Sequence, residues 1–560
     1  VTRPAEASPR GGRGPELLFF AALAGIVALG VWLRVEHLAL KPLHHDESVN
    51  GWFTLRLHWW NVYKYRPADY HGPLLYYINL FFFKLLGPGE IALRLGTVLA
   101  GSALPVAVLG LRRHLGRVGT LVAAALLAVS PGIVYFSRTN IHETYLVLFT
   151  LVFVGLVVRY LEEPSHRVGV AIAAVVALSF ATKETTVISG ACIVAGFALA
   201  LAAGTARPDD LFGMKTPREV VATAFRGNGR TWKVGAIVFA VITVLLFSSF
   251  FTYWYGVGGF FQAFLEWFKH GVGGRNQSKS YDYFLSVLEW TMLWLPYVAI
   301  PVAALALAAR HRFGLFLVGW TATSLLAYSL IPYKTPWCGL NIDLPLILLL
   351  AWGSHQAAGV VLDSRIHVAG RLVTALAVPV PLLAVPAMVD QVREASAERY
   401  DDDDLPYVFV QTQREIFECV DLLLEVERAR PDRVDDQGPK VVNLGGKNPI
   451  RWYTLTRGWD HHRTTYASDE VTAEQAAAAD VVITTSKDHA LVEAVVEADG
   501  DWHLEKCPLR PGHRVSVWWR ADDWAAFEAA GGDSPDRAAT RWPLRPGPPP
   551  NAPVFRPRKP

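Results

Sequence analysis

Eleven apolar runs, each long enough to cross a lipid bilayer, constrain this chain more than any motif does. They lie at 17–38, 90–111, 118–136, 140–160, 168–183, 186–204, 233–255, 286–308, 312–332, 340–360 and 369–389, and a spanning helix takes about 20 such residues. Backbone polar groups inside hydrocarbon have no water to bond, so each run must close its hydrogen bonds internally as a helix. With 560 residues, 52% of them hydrophobic, and a mean hydropathy of +0.25, the chain is too apolar for a soluble enzyme of this size. The expected architecture is a polytopic α-helical membrane protein. Its net charge of +3 leaves no electrostatic footprint for nucleic acid and makes the basic residues topological signals instead.

A polar stretch, 1–16, precedes Leu17–Leu33, which has no small-residue cleavage site and reads as a retained first span rather than a signal peptide. With a cytoplasmic N-terminus, the inside loops carry Arg112, Arg113 and Arg117, then Arg159 and Arg167, the cluster from Arg207 to Lys233, Arg310 and Arg312, and Arg365 and Arg371. All are basic, as the positive-inside rule requires. Two outside loops are long. The first, 35–90, has two amphipathic stretches, Ser48–Tyr63 and Pro73–Leu86, rich in Trp and Tyr, which are expected to lie in the membrane interface. The second, Gly256–Asp282, reads as a mobile flap, with Gly271, Gly273 and Gly274 beside Arg275 and Lys279.

The composition turns charged after Asp390, which marks 390–541 as a small extracytoplasmic α/β domain and 542–560 as a Pro-rich disordered tail. Helical periodicity covers Gln411–Arg428, and Lys440–Leu444, Asp480–Thr484 and Arg514–Trp519 read as strands. Cys419 and Cys507 share this domain, and spacing alone does not pair them. Gly445-Gly446-Lys447 lacks the rest of a phosphate loop and reads as a turn.

Unusual polar residues collect at the outside ends of the spans. Asp46 and Glu47 follow the first; Arg138, His142 and Glu143 open the fourth; Lys183 and Glu184 close the fifth; Tyr333, Lys334, Asn341 and Asp343 join the ninth to the tenth. Acids, imidazoles and cations at one depth suit chemistry on a lipid-linked anion: a carboxylate as general base, Lys and Arg on a phosphate, and a divalent cation held by His and carboxylate ligands, His45 and His71 among them. Plainer roles compete. Glu47 is either a substrate contact or the cap of a helix starting near Ser48, Glu143 either a catalytic acid or the ion-pair partner of Arg138, and the histidines either metal ligands or interfacial polar residues.

Asp46-Glu47, the segment His71-Gly72-Pro73-Leu74-Leu75-Tyr76-Tyr77, Ser137-Arg138 with Glu143, and Ala181-Thr182-Lys183-Glu184 occur in an order that resembles the GT-C membrane glycosyltransferases. Within them the likeness is to the protein O-mannosyltransferase and lipid A aminoarabinose transferase branch. Tyr333-Lys334-Thr335-Pro336-Trp337, Pro406–Thr412 and Arg451-Trp452-Tyr453 are similar to a prokaryotic subgroup described as flippase-activity-associated. The resemblance implies a polyprenyl-phosphate sugar donor, inverting transfer to a lipid, glycan or protein acceptor on the extracytoplasmic face, and a multi-pass location in the plasma membrane. It implies Asp46 as catalytic base, Glu143 as a second acid, and Lys183 as a contact to the lipid phosphate; Glu47, Arg138, Lys334 and Tyr333, from the same span ends and the loop after the first span, are the further candidate substrate contacts. An accessory or flippase-associated factor without transferase activity is the alternative. It calls for charges along a path through the bilayer, whereas the span interiors are nearly clean apart from Arg94.

Overall fold

The computed structural model describes residues 13–69, 71–225, 229–273, 278–363, 365, 367–429, 440–444, 449–457, 464–467, 472, 474, 475, 478–485, 492–494, 496 and 501–532. The tails 1–12 and 533–560 and the Gly445-Gly446-Lys447 turn lie outside them. The chain divides into two compact units, Val1–Gln411 and Thr412–Pro560.

The first unit is helical: α1 (Arg13–Val35), α2 (His45–Trp60), α3 (Leu74–Leu86), α4 (Glu90–Ala107), α5 (Arg112–Val129), α6 (Pro131–Ser137), α7 (Glu143–Glu162), α8 (His166–Phe180), α9 (Thr186–Ala203), α10 (Pro217–Phe225), α11 (Gly229–Phe247), α12 (Tyr255–Gly273), α13 (Tyr283–Thr291), α14 (Leu295–Ala309), α15 (Arg312–Leu330), α16 (Leu340–Leu362), α17 (Val368–Ala377) and α18 (Val385–Arg393). Among the described residues, eight helical stretches are long and apolar enough to cross a membrane, or nine if α13 and α14, which meet at 102°, form one broken span. The chain is a multi-pass membrane protein.

The expected count of eleven is higher for identifiable reasons. Two expected spans fall on one 40-residue helical stretch, Glu90–Val129, which straight would reach about 60 Å, twice the hydrocarbon core. It breaks at Gly116, whose φ is +60°, and α4 and α5 pack against each other. A third expected span is α8, only 15 residues long. Helix α16 is the core element. Every residue from Leu340 to Ser354 is buried, in keeping with a sequence apolar on all faces, and α5, α14 and α15 surround it.

The two long loops expected on the outer face both contain helices. Both amphipathic stretches are helices, α2 and α3, and the supposed flap is largely the helix α12. Phe260 of α12 is buried against Phe247, with ring centroids 5.0 Å apart. Gly259 allows the close approach of Tyr65: a Cβ there would sit 3.0 Å from that ring. Gly259 thus serves packing; Gly274 and Arg275 of the expected flap lie outside the described residues.

In the second unit, α19 (Ile416–Arg428), α20 (Ile450–Thr456) and α21 (Ala521–Ala529) accompany β1 (Val441–Leu444), β2 (Thr464–Ala467), β3 (Val481–Thr485), β4 (Trp502–Arg510) and β5 (His513–Arg520). Strand order is β2-β1-β3-β5-β4, with β1 parallel to β2 and β3, and β5 antiparallel to β3 and β4. Three strands match the expected ones; β2 and β4 were not foreseen. Cys419 of α19 is disulfide-bonded to Cys507 of β4, with Cα atoms 5.7 Å apart. The boundary falls about twenty residues beyond Asp390, because the intervening chain packs on the helices: Tyr407 against Tyr135 at 5.1 Å, and Gln411 Nε2 donating to the Pro42 carbonyl at 2.8 Å.

Candidate active site

The site starts at the first turn of α2. His44 is its N-cap. The His44 Nδ1 accepts the Glu47 N–H at 3.3 Å, and Glu47 Oε2 accepts the His44 N–H at 3.2 Å, a reciprocal capping box. Glu47 does more than cap. Fully buried, it is gripped by Arg94 of α4, Nε to Oε1 at 2.8 Å and Nη2 to Oε2 at 2.9 Å, and Oε1 also accepts the Asn140 N–H at 2.8 Å. Arg94 donates further to the carbonyls of Leu38, Lys41 and Pro42. A carboxylate has about four acceptor positions, and these bonds fill them. The reading of Glu47 as a substrate contact is therefore corrected to that of a structural tie. Burial works to raise its pKa, but the Arg94 charge overrides that and holds the carboxyl well below the usual range.

Asp46, one residue earlier, is the contrasting acid: its side chain is 39% exposed, with Oδ2 3.9 Å from His44 Nε2. Burial and pairing thus divide two adjacent carboxylates between scaffold and solvent.

Asn140 links this corner to the next. Its carbonyl accepts from Asn50 Nδ2 at 2.9 Å and its Oδ1 from Asn79 Nδ2 at 3.1 Å, so α2 and α3 jointly fix the loop that leads into α7. Glu143, the first residue of α7, is buried and ion-paired with Lys183 from the turn between α8 and α9. From the turn Pro336–Gly339 before α16, Cys338 Sγ comes within 3.9 Å of Glu143 Oε1. Its neighbour Trp337 packs edge-on against His44 at 6.1 Å. A continuous series of contacts therefore runs from Asp46 through His44, Trp337 and Cys338 to Glu143 and Lys183. Helix ends far apart in sequence meet at one place.

The Lys183 turn is held by backbone pairing: Gly72 N–H donates to the Thr182 carbonyl at 3.0 Å and Leu74 N–H to the Ala181 carbonyl at 2.9 Å. A Cβ on Gly72 would collide with the Ala181 carbonyl. Gly72→Ala is expected to displace this turn and destabilise the protein by about 1–3 kcal/mol, seen as a lower thermal midpoint in detergent; an unchanged midpoint would mean that the turn yields freely. Next to it, His71 Nδ1 lies 3.1 Å from Glu184 Oε2, and the His71 and His142 rings are 4.7 Å apart. Burial works to raise the Glu184 pKa, but His71 and Lys183 outweigh it and hold the carboxyl below its ordinary value.

Other expected site residues have scaffold contacts. Arg138 is buried and donates to the carbonyls of Leu33 at 2.7 Å and His37 at 3.2 Å, closing the end of α1; the alternative Arg138–Glu143 pair is not formed, since Glu143 turns to Lys183. Lys334 is buried, its Nζ donating to the carbonyls of Ile331 at 2.7 Å and Lys279 at 3.3 Å at the end of α15. Tyr333 is 37% exposed and bridges to Ser278. His45 is the first residue of α2. Among the described residues, the one set of three His, Cys, Asp or Glu side chains whose ligand atoms lie within 4.8 Å of one another is Asp402, Asp403 and Asp404. Neither His45 nor His71 belongs to it, and no chemical step is routed through a metal.

Reasoning from sequence passed over three members: Lys41, His44 as cap, and Cys338. Lys41 is buried, with Nζ donating to Thr139 Oγ1 at 2.8 Å and lying 4.1 Å from the Tyr135 ring centre; burial pushes its pKa down to about 7. The signal for Glu47 was in the sequence. Arg94 stood alone inside an apolar run, and a cation there needs a buried partner.

Residues 70–208 match the family described as dolichyl-phosphate-mannose-protein mannosyltransferase. That stretch includes His71, Arg138, Glu143, Lys183 and Glu184 but not Asp46. The structure is similar to ArnT from Cupriavidus metallidurans bound to undecaprenyl phosphate, with a TM-score of 0.52 and 14% identity over 90% of this chain and 98% of that one. It is also similar to the archaeal oligosaccharyltransferase AglB from Archaeoglobus fulgidus in complex with an inhibitory peptide and a dolichol-phosphate, with a TM-score of 0.53 and 12% identity over 85% of this chain and 70% of that one. Comparison with curated protein sequences finds no match. The likeness is one of fold, shared with ArnT and AglB.

Proposed function

We propose that this chain is a membrane glycosyltransferase that moves a sugar from a polyprenyl-phosphate donor to a lipid, glycan or protein acceptor on the extracytoplasmic face, with inversion at the sugar. The observation that carries this reading is the contact series joining the half-exposed Asp46 to the buried Glu143–Lys183 pair, in a fold shared with proteins solved with undecaprenyl phosphate and dolichol-phosphate. Asp46 takes the proton of the acceptor nucleophile. The nucleophile attacks the anomeric carbon on the face opposite the phosphate, the bond from that carbon to the phosphate oxygen breaks, and polyprenyl phosphate leaves with the electron pair. One displacement inverts the centre.

Lys183 meets the leaving group. An ammonium has three donors, so it can keep Glu143 while turning a proton toward a phosphate oxygen, and Glu143 keeps the cation in place before the donor arrives. The face is argued from charge: the basic loops from Arg112 to Arg371 lie at the opposite span ends, and a disulfide such as Cys419–Cys507 belongs to an oxidising compartment.

The test is binding of undecaprenyl phosphate to purified protein. Lys183→Met combined with Glu143→Gln, which leaves no buried charge unpaired, is expected to weaken it about tenfold or more, in line with a lost charge-assisted contact. Wild-type affinity in the double variant would remove Lys183 from the phosphate site.

A further inference from the structure

His44 carries a hydrogen-bonding atom that the helix cap does not use. Its side chain is only 4% exposed, and because Nδ1 accepts the Glu47 N–H, the ring proton resides on Nε2. Glu47 Oε2 is 3.4 Å from the same Nδ1, but that oxygen already accepts from the His44 N–H and from Arg94, so the Nδ1 lone pair stays with the Glu47 amide. Nε2 is buried and has no hydrogen-bond partner among the described residues. The carboxylate beside it is Asp46, 3.9 Å away and 39% exposed. Trp337, edge-on at 6.1 Å, and the cap together hold the imidazole in place. The histidine is fixed, and the aspartate can turn.

We propose that His44 is a positioning residue: its Nε2–H donates to one oxygen of Asp46 and thereby turns the other toward the acceptor hydroxyl. This rests on the reading of Asp46 as the base. The Asp46 oxygen has about 1 Å to close to reach hydrogen-bond distance from 3.9 Å, and catalytic hydrogen bonds commonly tighten only when substrate is bound. The series Arg94, Glu47, His44 then passes the rigidity of a buried ion pair to a side chain that is otherwise free on the surface.

His44→Asn separates this role from capping, because the asparagine oxygen still caps the helix while the Nε2 donor is gone. With tritiated undecaprenyl-phosphate mannose as probe, His44→Asn is expected to lower kcat on the order of tenfold or more, with KM and the thermal midpoint unchanged, and to cost nothing further in an Asp46→Asn background. A second arm needs no turnover. In the nitrogen-15 histidine spectrum of the full chain, His44 is expected as the Nε2–H tautomer, with that resonance moving on Asp46→Asn. A wild-type kcat for His44→Asn alongside an inactive Asp46→Asn overturns the proposal and leaves the base intact. A ring protonated on Nδ1, or one that does not respond to Asp46→Asn, overturns it as well. Full activity of Asp46→Asn would instead overturn the base assignment, and this role with it.

Discussion

Arg94→Met is expected to destabilise the protein by about 3–5 kcal/mol, because it leaves Glu47 charged and buried with no counter-charge. Arg94 also closes the carbonyls of Leu38, Lys41 and Pro42, so the same change releases the chain between α1 and α2. The readouts are the yield of monodisperse protein in detergent and its thermal midpoint. Converting both partners, with Glu47→Met added, is expected to recover part of the loss, since no unpaired charge is left buried. A single variant as stable as wild type would mean that water reaches the site. The pH dependence has a definite sign. The folded pKa of Glu47 is depressed, so its contribution is complete above the unfolded value, about 4.3, and is lost as pH falls through the folded value. Acid should therefore lower the midpoint of wild type more than that of the double variant.

Asp46→Asn is expected to slow sugar transfer about a hundredfold or more, the scale of losing a positioned general base, while leaving the fold unchanged. The contrast with Glu47 is informative, because the two acids are adjacent. Asp46 is partly exposed at the start of α2, so an isosteric amide leaves the buried Glu47–Arg94 pair intact; Glu47 supports the scaffold. Release of polyprenyl phosphate from a labelled donor measures the effect. Equal release by wild type and Asp46→Asn would show that the base lies elsewhere, and a large kinetic loss at Glu47 without a stability loss would reverse the roles given to the two residues.

Much of the helical frame was legible because hydrocarbon permits so little else. Apolar length located the spans, and interfacial aromatics located α2 and α3. The two spans expected across Glu90–Val129 are parted in space at Gly116; counting by length differed at α8, which has only 15 residues, and the bend between α13 and α14 leaves no apolar gap in the sequence. The composition change at Asp390 also misled, because polarity reports exposure while Tyr407 and Gln411 pack on the helices all the same.

The candidate site was legible as a set of residues but not as a set of partners. Span-end position brought Asp46, Glu143 and Lys183 to one side, since residues at the same ends of neighbouring spans share a depth. Sequence distance then suggested Arg138 for Glu143, one helical turn away; the fold gave Glu143 to Lys183, forty residues on. The sequence by itself determined the membrane frame, the side on which charge gathers and the residue types available for chemistry, because those follow from the cost of polar groups in lipid. Only the tertiary structure decided which of the two neighbouring acids is buried and bound by Arg94 and which faces solvent beside His44, because burial and pairing depend on α4, the Asn140 loop and the Trp337 turn, none of which is near Asp46 in the chain.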